Sequence, residues 1–227
     1  MNFVFEPPEQ PTVATLDGAS FPVHRIYCVG RNYAAHVREM GFDPDREEPF
    51  FFMKPADAVV PDGGTVPYPP MTSDFQHEVE LVVAIGKGGR DIAERSATNH
   101  IFGYAVGIDM TRRDLQIQAR TKGRPWDFGK GFDASAPCGR LSPTAQVRDI
   151  QKAPISLTVN GENRQMSDLA HMIWTVPEVV AYLSRYVTLV PGDLIYTGTP
   201  EGVSPVQRGD RLEARIEGLE ALTVRIG

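Results

Sequence analysis

Two acids two residues apart, Glu78 and Glu80, sit inside the run Asp74-Phe75-Gln76-His77-Glu78-Val79-Glu80-Leu81-Val82-Val83-Ala84-Ile85-Gly86. The rest of that run is strongly β-forming. On a strand alternate side chains share a face, so the two carboxylates stand side by side, roughly 6.5–7 Å apart along the backbone, with Val79 on the opposite face. Like charges so placed repel each other. A cation between them removes the repulsion, and an all-oxygen ligand set suits Mg²⁺ or Mn²⁺ better than zinc. The same spacing also describes a solvated acidic strand face, so a third ligand has to decide between the two readings. Asp109, at the end of the apolar run Ile101–Ile108, supplies a third hard oxygen if it faces the pair.

A second pattern joins His36 and Glu39, three residues apart in a segment, Arg31 to Met40, that reads as a short helix closed by Gly41. Helical spacing of three brings the two side chains onto one face, where Glu39 can orient His36 and raise its basicity. An isolated surface ion pair is the plain alternative.

Several elements must position these groups. Ile26-Tyr27-Cys28-Val29 reads as a strand ending at Gly30, and Phe50-Phe51-Phe52-Met53 as an apolar run ending in Lys54-Pro55. Between them the segment from Phe42 to Glu48, with Asp43-Pro44-Asp45, is loop chemistry. Residues 31–48 are therefore expected to form a lid carrying His36. A polar helix is expected from Ile92 to about Asn99, followed by the strand Ile101–Ile108. Thr111 and Asp114 have capping-box spacing, which predicts a helix from Arg112 to about Lys122. The stretch from Gly123 to Gly139 holds Trp126, Asp127, Lys130 and Asp133 among glycines, and is expected to lie outside the core.

Further on, Ile155, Leu157 and Val159 alternate into Asn160-Gly161, a strong hairpin signal. Thr175 with Glu178 forms a second capping box ahead of the stripe Val179, Val180, Leu183 and Val187. Leu194-Ile195-Tyr196 leads into Thr197-Gly198-Thr199-Pro200-Glu201-Gly202-Val203, and a last hairpin turns at Glu217-Gly218. Strands outnumber helices and do not alternate with them, which predicts an α+β, predominantly β, fold. Residues 1–20, with Pro7, Pro8 and Pro11, are expected to be an extended arm, and 21–227 a single domain.

Composition narrows the function classes. With 23 Lys and Arg against 29 Asp and Glu the net charge is −6, so no global basic field draws nucleic acid or an anionic membrane. Cys28 and Cys138 have no metal-ligand spacing and are expected to be packed thiols. No apolar run has the length of a membrane span, and Met1 to Gln10 lacks the pattern of a secretory leader, so a soluble cytoplasmic protein is expected.

Taken in order, the motifs Gly30-Arg31-Asn32-Tyr33-Ala34-Ala35-His36, Phe52-Met53-Lys54-Pro55, His77-Glu78-Val79-Glu80-Leu81, Gly107-Ile108-Asp109-Met110-Thr111-Arg112-Arg113-Asp114, Gly129-Lys130-Gly131-Phe132-Asp133 and Thr197-Gly198-Thr199-Pro200 carry a resemblance. From about Pro22 to the C-terminus the chain resembles the fumarylacetoacetate hydrolase family. The resemblance implies that family's mixed β-sandwich roll and a homodimer. Arg25-Ile26-Tyr27-Cys28-Val29-Gly30, Arg38-Glu39-Met40-Gly41, the Phe50–Asp57 wording and Arg124-Pro125-Trp126 are most similar to the family's bacterial fumarylpyruvate hydrolases of gentisate breakdown. Ser204 departs from the glycine expected after Gly202-Val203.

Carried over residue by residue, the resemblance implies that Glu78, Glu80 and Asp109 bind Mg²⁺ or Mn²⁺. It makes His36 and Glu39 the water-activating pair and Lys130 the active-site lysine, and it places Arg31, Lys54, Arg112, Gln116 and Thr199 along the substrate site. Ile26-Tyr27-Cys28-Val29 holds no counterpart of the fourth carboxylate ligand of the animal fumarylacetoacetate enzymes, which leaves metal positions for water and substrate. The implied reaction is hydrolysis of a small 2,4-dioxo acid, most specifically 3-fumarylpyruvate to fumarate and pyruvate. Alternatives on the same site are an acylpyruvase, oxaloacetate decarboxylation, and isomerisation or decarboxylation of 5-carboxymethyl-2-hydroxymuconate. More remote is a non-catalytic protein that binds a metal or a dicarboxylate.

Overall fold

The computed structural model describes residues 2–40 and 47–227. Segment 41–46, and with it much of the expected loop and lid, lies outside the described residues. Nine strands and four helices position the site: β1 Arg25–Gly30, α1 Ala34–Glu39, β2 Phe50–Lys54, β3 Val79–Ile85, β4 Ile101–Ile108, α2 Arg113–Thr121, α3 Asp127–Lys130, β5 Pro154–Val159, β6 Glu162–Asp168, α4 Val176–Tyr186, β7 Asp193–Tyr196, β8 Arg211–Ile216 and β9 Leu222–Ile226.

One six-stranded sheet runs Ser142–Pro143, β4, β3, β7, β1, β2, and a five-stranded sheet runs β6, β5, β8, β9, Thr65–Val66. The first sheet is buried on both faces, which explains its near-continuous apolar runs. From β3, Val79, Leu81 and Val83 join a core that includes Ile155, Leu157, Leu212 and Val224 of the second sheet. Val82 and Ala84 face the other way, onto Val13, Phe21 and Val23. The α+β, predominantly β, expectation holds, with two sheets sharing the main core.

Several local expectations need correction. The paired structure begins inside the expected arm, because Thr12–Ala14 pairs with Ser20–Pro22 and buries Val13. The polar helix after Ile92 is a 3₁₀ helix, Glu94–His100. The Thr111/Asp114 capping box does not form. Thr111–Arg112 pairs instead with Phe75–Gln76, and Asp114 accepts hydrogen bonds from Thr72 Oγ1 at 2.6 Å and the Ser73 amide at 2.9 Å. The stretch 123–139 is not peripheral, since it contains α3 and buries Gly129, Lys130, Phe132, Ala136 and Cys138. Burial pushes the Cys138 thiol up to about 12, as befits a packed thiol. The Thr175/Glu178 capping box and the Asn160-Gly161 hairpin form as read.

Candidate metal and hydrolase site

The open ends of β3 and β4 meet here. Glu80 pairs with Gly107 in the antiparallel register, and the Asp109 amide donates to the Glu78 carbonyl at 2.8 Å. This brings Asp109 beside the two glutamates, so that one ligand atom from each of Glu78, Glu80 and Asp109 lies within 4.8 Å of the others. All three are buried, which removes the reading of a solvated acidic face.

Three buried acids need counter-charge. Lys130 supplies it from the end of α3, its Nζ lying 2.7 Å from Glu78 Oε2, Asp109 Oδ2 and Thr111 Oγ1. Arg113 Nη2 donates to Glu78 Oε1 at 2.5 Å, and Lys54 Nζ sits 2.8 Å from Asp109 Oδ1. Burial opposes the Glu78 charge, but Lys130 and Arg113 outweigh it and hold the carboxyl well below its usual range. The Lys130 ammonium is likewise buried, and Asp109 and Glu78 outweigh that cost and keep it charged.

Glu80 is different. Its carboxylate accepts from the Gly198 amide at 2.7 Å, while burial and then the charges of Asp109 and Glu78 drive its pKa well above the usual carboxylate range. A buried acid so destabilised, in a set of three hard oxygens, is a position where a further cation relieves repulsion. The residues present fit Mg²⁺ or Mn²⁺, and Glu78, Glu80 and Asp109 are the side chains that would hold the ion.

His36 comes from α1, on the β1–β2 connection. Its Nδ1 lies 3.1 Å from Glu39 Oε2, and Glu39 also accepts from the Gly202 amide at 3.0 Å. Burial opposes the Glu39 charge, yet the His36 and Gly202 hydrogen bonds hold its pKa below normal. The bond to Glu39 fixes the proton on Nδ1 and leaves the Nε2 lone pair for chemistry. Gly202 has φ +91°, and a Cβ there would lie 2.1 Å from the Arg164 carbonyl, so only glycine presents this amide to Glu39.

A cavity gathers these groups: Arg31, His36, Glu78, Glu80, Arg113, Gln116, Lys130 and Thr199 line it, with Arg120, Phe52 and Trp126. Two expected substrate residues lie elsewhere. Arg112 points away and stacks over Phe132, 4.3 Å from the ring centre. Its neighbour Arg113 takes the place beside the acids, because α2 starts at Arg113 and not at Arg112. Lys54 is buried and works from behind, against Asp109 and the Met110 carbonyl. Neither residue lines the cavity.

Sequence reasoning also missed a supporting network. His77 Nδ1 lies 2.9 Å from Gln165 Oε1, and His77 Nε2 lies 2.9 Å from Ser204 Oγ. Gln165 Oε1 also accepts from the Val79 amide at 3.0 Å, and its Nε2 donates to Thr199 Oγ1 at 2.8 Å. Gln165 thus ties the strand of Glu78 and Glu80 to the Thr199 loop, and Ser204 has a task where glycine would have none. Burial pushes the His77 pKa down to about 4, so this histidine is a neutral strut. Gln165 comes from the polar strand β6, where no local pattern marks it.

The profile of the fumarylacetoacetate hydrolase C-terminal family matches residues 25–227. The chain is 47% identical over 185 residues to a fumarylpyruvate hydrolase of Ralstonia sp, covering 82% of this chain and 96% of that protein. It is 43% identical over 201 residues to the human mitochondrial oxaloacetate tautomerase, covering 88% of this chain and 90% of that protein. Among solved structures, fumarylpyruvate hydrolase from Pseudomonas aeruginosa in complex with Mn²⁺ and pyruvate is 55% identical, with TM-score 0.97 and 99% of each chain covered. A 5-carboxymethyl-2-hydroxymuconate delta-isomerase from Mycobacterium smegmatis is 30% identical, with TM-score 0.81, covering 96% of this chain and 97% of that one. With the family match running over residues 25–227 and 47% identity to a relative across most of both chains, this chain belongs to the fumarylacetoacetate hydrolase family.

Proposed function

We propose that this protein is a metal-dependent hydrolase that cleaves the C–C bond of a 2,4-dioxo acid, with 3-fumarylpyruvate as substrate and fumarate and pyruvate as products. The observation that carries the reading is the meeting of His36, oriented by Glu39, with Glu78, Glu80 and Lys130 in one cavity. A hydrolase needs both a base for water and a place for the keto acid, and this cavity offers the two together. The 47% and 55% identical relatives named as fumarylpyruvate hydrolases support the substrate.

When bound, a divalent cation supplies Lewis-acid charge to the keto-acid oxygens. The protein's own groups do the rest. His36 Nε2 takes a proton from water, whose oxygen adds to the carbonyl on the fumaryl side. The C–C bond then breaks, its electron pair passes to the pyruvate fragment, and a proton replaces the lost acyl group. Lys130 acts through its buried positive charge, because its three donors are already directed at Glu78, Asp109 and Thr111. Arg31, Gln116 and Thr199 line the cavity as substrate contacts. The reading places the activity in gentisate breakdown in the cytoplasm, where the two unpaired thiols stay reduced. It takes a homodimeric state from the family resemblance. No described helix is long and apolar enough to cross a membrane.

A second reading is a keto–enol tautomerase or decarboxylase of oxaloacetate, which uses the same acids without hydrolytic water. The 43% identical tautomerase supports it. The test follows Mg²⁺- or Mn²⁺-dependent loss of the enol absorbance of fumarylpyruvate beside maleylpyruvate, fumarylacetoacetate and oxaloacetate, with fumarate measured as product. Fumarate release is the expected result. Turnover of oxaloacetate alone would replace the first reading by the second, and no turnover of any of the four would leave a binding protein.

A further inference from the structure

We infer that Arg120, together with Arg31, forms an anion subsite at the mouth of the cavity, which holds the carboxylate at the far end of a dicarboxylic acyl group. The inference rests on the dioxo-acid reading above and specifies which dioxo acids the site selects.

Helix α2 supplies the ruler. Arg113, Gln116 and Arg120 are spaced three and four apart, the spacing of one helix face. All three line the cavity. Their exposure grades along the helix: Arg113 and Gln116 are buried, and Arg120 is half-buried. Arg113 touches the metal-site acid Glu78, so α2 begins at the cavity floor and runs outward. Seven residues of helix rise about 10 Å. A seven-carbon dioxo diacid, with C–C bonds of about 1.5 Å, spans roughly 8 Å between its end carbons. A substrate whose keto acid sits beside the cation that Glu78, Glu80 and Asp109 would hold therefore places its distal carboxylate level with Arg120.

Arg31 lines the same cavity. It occupies a left-handed backbone position, φ 57°, which is uncommon for a residue with a side chain. Its guanidinium lies 5.7 Å from the centre of the Phe50 ring. Burial opposes the Arg31 charge, Glu47 supports it, and Arg120 is close enough to oppose it again. Both guanidinium groups line the cavity that also exposes the metal-site acids Glu78 and Glu80. Guanidinium forks match a carboxylate in geometry as well as charge.

Arg120→Leu and Arg120→Lys test the subsite, with circular dichroism and thermal melts to confirm folding. In Arg120→Leu, kcat/KM for fumarylpyruvate relative to acetylpyruvate, which ends in a methyl, should fall about 30-fold, mostly through KM. Arg120→Lys should recover part of the loss. In parallel, calorimetry on the Mn²⁺-loaded wild type should show fumarate binding tighter than crotonate, its analogue with methyl in place of one carboxylate. That preference should shrink in Arg120→Leu. An unchanged substrate ratio, or equal affinity of the wild type for fumarate and crotonate, overturns the subsite. Failure of the wild type to hydrolyse fumarylpyruvate overturns the hydrolase reading instead, and the fumarate–crotonate comparison still decides the subsite.

Discussion

The floor and the wall of this cavity are built on opposite principles. The floor has Glu78, Glu80 and Asp109 at the ends of two adjacent sheet strands with Lys130 reaching them from α3, and every group there is buried. The wall that carries His36 and Glu39 is a six-residue helix between β1 and β2, with the Glu39 side chain 35% exposed. Backbone pairing fixes the floor, and ion pairs in a low-dielectric setting balance its charge. The wall is tied by side-chain bonds, above all from the Gly202 amide to Glu39 and from the buried Asn32 Nδ2 to the Thr197 carbonyl at 2.7 Å. A cation site needs ligands that do not yield to mutual repulsion, whereas a base must admit water and substrate. Rigid charge below and a lightly held base above satisfy both demands.

Breaking the floor should have the largest effect. Glu80→Gln removes the most repelled carboxylate, so metal-dependent turnover should fall by at least about 10³-fold. Added Mn²⁺ should raise the melting temperature of the wild type and not of the variant. The metal-free variant should melt no lower than the wild type, since a carboxyl group whose charged form burial and the neighbouring acids destabilise has been replaced by a neutral amide. A lower melting temperature would show that Glu80 is stabilised in some other way.

Lys130→Met leaves Glu78 and Asp109 with less compensating charge and should cost about 3–5 kcal/mol in urea unfolding of the metal-free protein. A loss below about 1 kcal/mol would mean that Lys54 and Arg113 suffice. His36→Ala acts on the wall and should reduce hydrolysis by about 10²–10³-fold. Its Mn²⁺-induced thermal shift should stay at the wild-type value, and a lost shift would join wall and floor into one unit.

The smallest effect is a pH dependence. The folded pKa of Glu39 is depressed, so its contribution to stability is present above the usual glutamate range of about 4.3 and is lost as pH falls through the lower folded value. At this exposure the contribution is under about 1 kcal/mol. The difference in melting temperature between wild type and Glu39→Gln should narrow as pH drops below that range. A constant difference would assign the loss to packing instead of charge.

The sequence carried the floor better than its surroundings. Alternation in the Glu78–Ile85 run determined that Glu78 and Glu80 share a face, and the spacing of His36 and Glu39 determined their pairing, because both are local periodicities. The same locality let the Asn160-Gly161 turn and the Thr175/Glu178 cap be read directly. Other features depended on contacts between distant segments. Tertiary pairing of Thr111–Arg112 with Phe75–Gln76 delayed the start of α2, which put Arg113 and not Arg112 beside Glu78. Polar composition set Lys130 in an exposed loop, but buried acids from two other strands drew it inside. Periodicity along the chain records which residues face the same way, and only the fold decides what they face; the two glutamates owed their side-by-side placement to the strand and their buried, cation-seeking state to Asp109, Lys130 and Arg113 arriving from elsewhere.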